Sequence, residues 1–203
     1  MPDLIRQGLG LAARAAGDWC DVFRPQGANT PMAAGNRMVR LPALFTQSRA
    51  PGYGEPLWQG IFDAAYTQPG DYLRGAEGVF FIAQQNRLAG PLCVKTNRVL
   101  RFQRPAGPQM AGMNRYVSTH EVLELLQDWP ASVLPAGGVG RGALPGDAPG
   151  LQSSPSWAVL LPVLPVLLRP GDLARDDLGR AGVVASAALS DLGWRLHIKQ
   201  AAS

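Results

Sequence analysis

The chain has 203 residues and a formal net charge of +4, with 46% hydrophobic and 17% charged residues. Its 24 glycines and 18 prolines favour turns and interrupt helices, so the composition excludes a helical bundle and predicts many short strands. The longest apolar run, 157–168, contains two prolines and is shorter than the ~20 residues of a membrane helix. The basic excess is mild and the arginines are scattered, which is weak evidence for a nucleic-acid binder.

The N-terminal region, residues 1–56, predicts one helix followed by an extended arm and a loop. Apolar residues recur at helical spacing from Leu4 to Ala16, Asp3 is a candidate N-cap and Gly17 a candidate stop. Residues 18–25 alternate like a strand or extended arm, which Pro25 ends. The Gly, Pro, Asn and Ser content of residues 26–56 predicts a long loop with few regular elements.

A first β module is predicted over residues 57–105. Strands are expected at 58–66, 71–74, 79–84 and 92–102, joined by a Pro69-Gly70-Asp71 turn, a Gly75/Gly78 turn and a loop through Gly90. Short antiparallel connections of this kind fit a small β-barrel or sandwich.

Residues 106–155 separate this module from the C-terminal segment. Val122, Leu125, Leu126 and Trp129 share a helical face, Ser118 or Thr119 can cap, and Pro130 can stop the helix, so the pattern predicts a helix from Thr119 to Asp128. The Gly/Pro/Ala-rich stretch 130–155 is typical of a linker or surface loop.

The C-terminal segment, 156–203, repeats the pattern of the first module. Pro170-Gly171-Asp172 follows Pro69-Gly70-Asp71 at a distance of 101 positions, and similar apolar segments follow each turn. Because Pro-Gly-Asp is common turn chemistry, a chance match is the alternative to a second β module. Pro162 and Pro165 lie where the repeat places its first strand, which would make that strand an edge or a bulged strand.

No residue pattern identifies a reaction, a cofactor or a metal. The two histidines, His120 and His197, fit a helix start and a strand, and neither lies in a nucleophile–base arrangement. Asp176-Asp177 fits a hairpin turn whose side chains bond to backbone N–H groups, and Glu121/Glu124 fits a solvated helix face. The glycine-rich stretch 137–142 lacks the Gly-Lys-Ser/Thr ending of a phosphate loop. The sequence therefore predicts a non-enzymatic protein without a cofactor.

Two further features bear on location and on contacts. Cys20 and Cys93 are expected as buried small apolar groups in a reducing compartment, and the acidic start Met1-Pro2-Asp3 does not resemble a secretory signal, so a cytosolic setting is expected. The densest basic stretch carries Lys95, Arg98, Arg101 and Arg104. Strict alternation divides these side chains between two faces, so the stretch is interpreted either as a contact surface or as a strand end running into solvent.

Several segments together resemble tailed-bacteriophage virion proteins. They are Trp19-Cys20-Asp21-Val22-Phe23-Arg24-Pro25, Phe62 to Thr67 leading into Gly70-Asp71-Tyr72-Leu73, Gly78 to Ala83, and Cys93 to Arg98. The chain is most similar to small β-barrel proteins of the head–tail neck, the head-completion or stopper class, over residues 18–104 and more faintly over 157–200.

This resemblance implies a homo-oligomeric ring in the virion, assembled in the host cytoplasm, that joins portal or adaptor to tail proteins and helps retain packaged DNA. It implies no membrane contact. Lys95, Arg98, Arg101 and Arg104 would then be candidates for the lumen, for DNA or for an inter-subunit contact. The alternatives are a tail, baseplate or capsid-decoration component, or a host-encoded non-enzymatic binding module.

Overall fold

The computed structural model describes residues 2–47, 56–85, 90–105, 122–135 and 155–200. Its one α-helix, α1 (Pro2–Ala16), precedes all the strands, and short 3₁₀ helices lie at Ala34–Asn36 and Ala64–Tyr66 within that part of the chain. The strands are β1 (Asp18–Phe23), β2 (Arg37–Thr46), β3 (Leu57–Ile61), β4 (Tyr72–Gly75), β5 (Gly78–Gln84), β6 (Leu92–Lys95), β7 (Arg98–Pro105), β8 (Val122–Pro135), β9 (Ser156–Leu161), β10 (Leu173–Asp176), β11 (Ala181–Ser190) and β12 (Gly193–Gln200).

The strands form two closed antiparallel barrels with the same topology. The first runs β1-β2-β3-β6-β5-β4 and closes between β4 and β1. The second runs β7-β8-β9-β12-β11-β10 and closes between β10 and β7. Adding six to each strand number of the first barrel gives the order of the second. The mainly β prediction and the repeated pattern are therefore confirmed.

The two Pro-Gly-Asp turns occupy equivalent places in the barrels. Gly70 donates its N–H to Ile82 O at 2.8 Å, and Gly171 donates to Val184 O at 2.9 Å. Both glycines have φ of +95°, a left-handed conformation that side chains with a Cβ rarely adopt. The same turn thus leads into the fourth strand of each barrel and fixes its pairing with the fifth.

The barrels begin and end at other residues than the sequence pattern indicated. Residues 18–23, interpreted as a strand or an extended arm, form β1, so the strand alternative is the one the structure has, and residues 37–46, interpreted as part of a loop, form β2 of the first barrel. The stretch 92–102, interpreted as one strand of a module at 57–105, is two strands, and β7 belongs to the second barrel. Only Thr96 and Asn97 connect the barrels, because β6 ends at Lys95 and β7 begins at Arg98.

The helix predicted from Thr119 to Asp128 is wrong over residues 122–128, which form the first half of β8. Residues 119–121 lie outside the described part of the chain. The pairing of β8 with β7 shifts register twice, near Phe102. Such bulges add residues on one strand, so buried positions follow one another at spacings that resemble a helical face. The linker predicted at 130–155 begins inside β8, and its residues 136–154 lie outside the described ranges.

Pro162 and Pro165 do not interrupt a strand. β9 ends at Leu161 and pairs with β12 on one side and β8 on the other. The strand therefore keeps both neighbours, and the edge or bulge expected from the prolines is not needed.

The buried apolar side chains form two separate clusters. The first lies inside the first barrel and includes Val22, Phe45 and Phe80. The second fills the second barrel and continues across the seam between the barrels, where it takes in Tyr72, Phe81 and Val94 from the outer wall of the first barrel. Neighbouring residues on a strand point to opposite faces. The inward face of β4, β5 and β6 therefore contributes to the core of the first barrel, and their outward face contributes to the seam. No described helix has the length and apolarity that a bilayer crossing demands.

Candidate interaction surfaces

An arginine clamps each Pro-Gly-Asp turn to the strand that opens its barrel. Arg24, directly after β1, donates from Nε and Nη2 to the two carboxylate oxygens of Asp71 at 2.9 and 2.8 Å. Arg104, in β7, does the same to Asp172 at 2.7 and 2.9 Å. Both carboxylates are buried and each also accepts a backbone N–H, from Gln68 or Arg169. Each hydrogen bond to its aspartate raises the pKa of the arginine.

The two clamps explain the repeated sequence motif in physical terms. A planar guanidinium matches a carboxylate in a bidentate pair, which fixes orientation as well as charge. The pair ties the first strand of a barrel to its fourth, where the barrel closes. Arg104, predicted as a lumen, DNA or subunit contact, is placed by the structure in one of these clamps.

The other three predicted basic residues also have partners. Arg101 donates from Nε to Asp128 at 2.8 Å, and Arg98 lies 3.9 Å from Asp177. The Lys95 ammonium lies 5.3 Å from the Trp58 ring centroid and 5.6 Å from that of Phe80. The structure does not bring the four cations into one unopposed stripe.

A denser group of arginines lies on the outer wall of the first barrel, around Asp21. Arg37 donates from Nη2 to Asp21 at 2.7 Å, while the nearest nitrogens of Arg40 and Arg74 stay 3.9 Å from its carboxylate. Strand pairing brings these side chains together, because Asp21 on β1 lies opposite Arg40 on β2 and Arg74 on β4. We call Arg37, Arg40, Arg74 and Asp21, together with Trp19, the arginine face.

The arginine face carries three positive charges against one negative charge. The three arginine side chains are 50 to 59% exposed, and Trp19 is 60% exposed. The Arg40 guanidinium lies 5.8 Å from the Trp19 ring centroid, so the aromatic ring is part of the same surface. Sequence reasoning missed this cluster because its charged residues come from three strands, Asp21 from β1, Arg37 and Arg40 from β2, and Arg74 from β4. Alternation on β1 and β2 was the only signal, and β2 was interpreted as loop.

The seam between the barrels is hydrogen-bonded as well as apolar. The buried Tyr72 hydroxyl donates to Pro130 O at 2.9 Å, and its ring packs edge-on against Trp129. Trp129 Nε1 in turn donates to Ala28 O at 3.0 Å. Asn97 accepts from Val133 N at 2.8 Å and donates to Val133 O at 2.9 Å. Burial raises the pKa of Tyr72 well above its ordinary value, so the hydroxyl stays a donor.

The remaining polar candidates have structural roles or lie outside the described ranges. Asp176 accepts backbone N–H groups from Leu178 and Arg180, as the hairpin-turn interpretation predicted. His197 lies half-buried on β12, whereas His120, Glu121 and residues 137–142 are not described. Cys20 lies at one end of the first barrel, and burial raises the pKa of its thiol to about 11. Within the ranges given above, no three His, Cys, Asp or Glu side chains gather into a metal-binding group.

The far half of β11 has a strand partner on one side only among the described residues. β11 pairs with β12 over nearly its whole length, but with β10 only at residues 181–183. Leu189 and Leu192 at the tip of this hairpin are 51% and 45% exposed. The backbone of 185–190 thus presents an edge to which a further strand can add.

Comparisons with protein-family models, with curated proteins and with solved structures gave no match.

Proposed function

We propose that the chain is a structural protein of a tailed-phage virion, which forms a ring in the neck, joins portal to tail and helps retain packaged DNA. It acts mechanically and without catalysis. Its subunits contact one another, the portal or adaptor above and the tail below. The proposal keeps the function that the sequence resemblance implies.

The observation that carries the proposal is the fusion of two closed barrels into one body. A part that bears load between two assemblies needs resistance to bending between its domains. Here a two-residue connection, a continuous apolar core and the Asn97–Val133 hydrogen bonds join the barrels. The two bidentate ion pairs, Arg24–Asp71 and Arg104–Asp172, hold each barrel closed, so these charged groups have a structural role.

The open edge of β11 supports subunit contact. An exposed strand edge is a template for pairing, and proteins that retain one often cover it with a neighbouring chain. The exposed leucines beside it add apolar area to such a contact. In the proposed ring, the hairpin of β11 and β12 from one subunit meets the next subunit.

The test is assembly of the purified full chain, alone and with the portal and tail proteins encoded beside its gene. Electron microscopy and light scattering should show closed rings that bind one of these partners. A chain that stays monomeric at high concentration and ignores portal and tail assemblies would overturn the proposal, as would a gene surrounded only by metabolic genes. Binding to a tail-tip or capsid surface instead would identify a baseplate or decoration component.

Variants at the hairpin tip separate folding from assembly. Leu189→Asp with Leu192→Asp should leave the melting temperature unchanged and abolish the ring, because both side chains are already exposed. Leu178→Asp is the matched control, since Leu178 is 60% exposed in the turn after β10. Rings that form equally well in both variants would remove the hairpin from the subunit interface.

A further inference from the structure

The arginine face has donors that its own acid does not use. Asp21 takes a hydrogen bond from Arg37 only, and Arg40 and Arg74 approach it no closer than 3.9 Å. Neither forms a shorter ion pair with another acid among the described residues. Asp18 and Glu77 line the mouth of the barrel beside Cys20. The three arginines and Asp21 of the arginine face therefore sum to a charge of +2, and the 50 to 59% exposure of the arginines leaves guanidinium N–H groups toward solvent.

From this geometry we infer that the arginine face binds the phosphodiester backbone of DNA without sequence selectivity. Guanidinium groups recognise phosphate oxygens through paired N–H donors, and backbone contacts of this kind dominate non-specific DNA binding. Arg37 and Arg40 lie on β2 and Arg74 on β4, on either side of Asp21 on β1, so two strand spacings, roughly 10 Å, separate the two sides of the cluster and several phosphate oxygens can lie against it. Trp19 provides an apolar ring at one side of the row for a sugar or base.

The second barrel repeats this wall in weaker form. Arg175 and Arg101 face each other on β10 and β7, the positions equivalent to Arg74 and Asp21. Asp128 forms an ion pair with Arg101, which leaves two arginines against one acid. A phosphate backbone is favoured over an acidic protein segment because the whole chain is basic, with a net charge of +4, and the basic wall recurs on both barrels. For its setting in the virion the inference rests on the proposed neck function.

The test compares two double variants with the same change in net charge. Arg40→Gln with Arg74→Gln removes two cations from the arginine face, and Arg14→Gln with Arg195→Gln removes two exposed cations, on α1 and β12, that belong to neither basic wall. Binding to a fluorescent 30-base-pair duplex and to a 30-base single strand is measured from 50 to 300 mM salt. Thermal melting checks that each variant remains folded, as the exposure of the four arginine side chains leads us to expect.

The first variant should weaken duplex binding several-fold at 0.1 M salt and lower the slope of log K against log salt by about 2, as expected for two lost phosphate contacts. The second should change both less. Equal losses in the two variants would mean that net charge alone attracts DNA and would overturn the assignment. So would absence of DNA binding by the wild type, or competition by polyglutamate as effective as by DNA. The assay uses only this chain and DNA, so its failure leaves the ring assay unaffected.

Discussion

The two barrels share a topology but fill their interiors from different strands. In the first barrel, Val22, Leu73 and Phe80 face one another across β1, β4 and β5. The equivalent row in the second barrel is Phe102, Ala174 and Gly182. The aromatic ring of the first row is Phe80 on β5, whereas the aromatic ring of the second row is Phe102 on β7. A barrel interior requires total filling, and either strand can supply the volume.

The two barrels also differ in how far their apolar cores depend on the seam between them. Phe80 stacks on Phe45 with centroids 3.8 Å apart, so the first barrel has an aromatic core of its own. The core of the second barrel is continuous with the seam. We therefore expect the first barrel to retain more of its order when the seam is weakened.

The largest expected effect is at Phe80. Phe80→Ala removes a fully buried ring from the first core and should lower the free energy of unfolding by about 3–5 kcal/mol. Denaturant unfolding measures the loss, and hydrogen exchange should report it in β1 to β6 first. A loss below about 1 kcal/mol would show that the Phe45–Phe80 stack is not the centre of that barrel.

The two clamps should be equal in strength if the barrels are built alike. Asp71→Asn and Asp172→Asn each replace a buried carboxylate that binds an arginine and a backbone N–H, and each should cost about 2–3 kcal/mol. Asp63→Asn is the control. Asp63 accepts an exposed hydrogen bond from the Ala65 N–H, and an asparagine side chain can accept the same bond. A large effect in one barrel and none in the other would contradict the equivalence.

A smaller effect is expected at Gly182, the counterpart of Phe80. A Cβ there would lie 2.6 Å from Ile198 Cγ2 and 2.7 Å from Lys199 O, so Gly182→Ala should cost about 1–2 kcal/mol in denaturant unfolding. Gly35→Ala, where a Cβ would meet no atom within 4 Å, serves as control. Equal stability of the two variants would contradict this prediction, because it would show that the second barrel accommodates a methyl group at position 182.

The smallest effect is a pH dependence confined to the first barrel. The pKa of Cys20 is raised to about 11 by burial, whereas an unfolded thiol ionises near pH 9, so its contribution to stability is full below pH 9 and is lost as pH rises to about 11. The equivalent position in the second barrel is Leu100, which does not titrate. Wild type should therefore lose about 1 kcal/mol more than Cys20→Ala between pH 8 and about pH 9.7. Parallel pH profiles in denaturant unfolding would refute this.

The turn chemistry was the part of the fold most open to sequence reasoning. Pro-Gly-Asp requires a left-handed glycine and an acid that binds backbone, and both constraints are local, so the repeat was visible. Pairing between strands far apart in sequence was not. The helical spacing of the buried Leu125, Leu126 and Trp129 arose from bulges that only a partner strand creates, whereas Val122, the fourth residue of the pattern, is exposed. The arginine face was hidden for the same reason, because its members meet only when β1, β2 and β4 pair.

The two residues between the barrels have a mechanical consequence. Thr96 is fastened to β5 through two hydrogen bonds to Val79 O, both 2.9 Å, and Asn97 is fastened to β8 through Ala131 and Val133. Torque applied to one barrel therefore passes directly into the strands of the other, since the connector has no slack residues to absorb rotation. In a ring built from such subunits, a twist imposed at one end would be transmitted through each subunit.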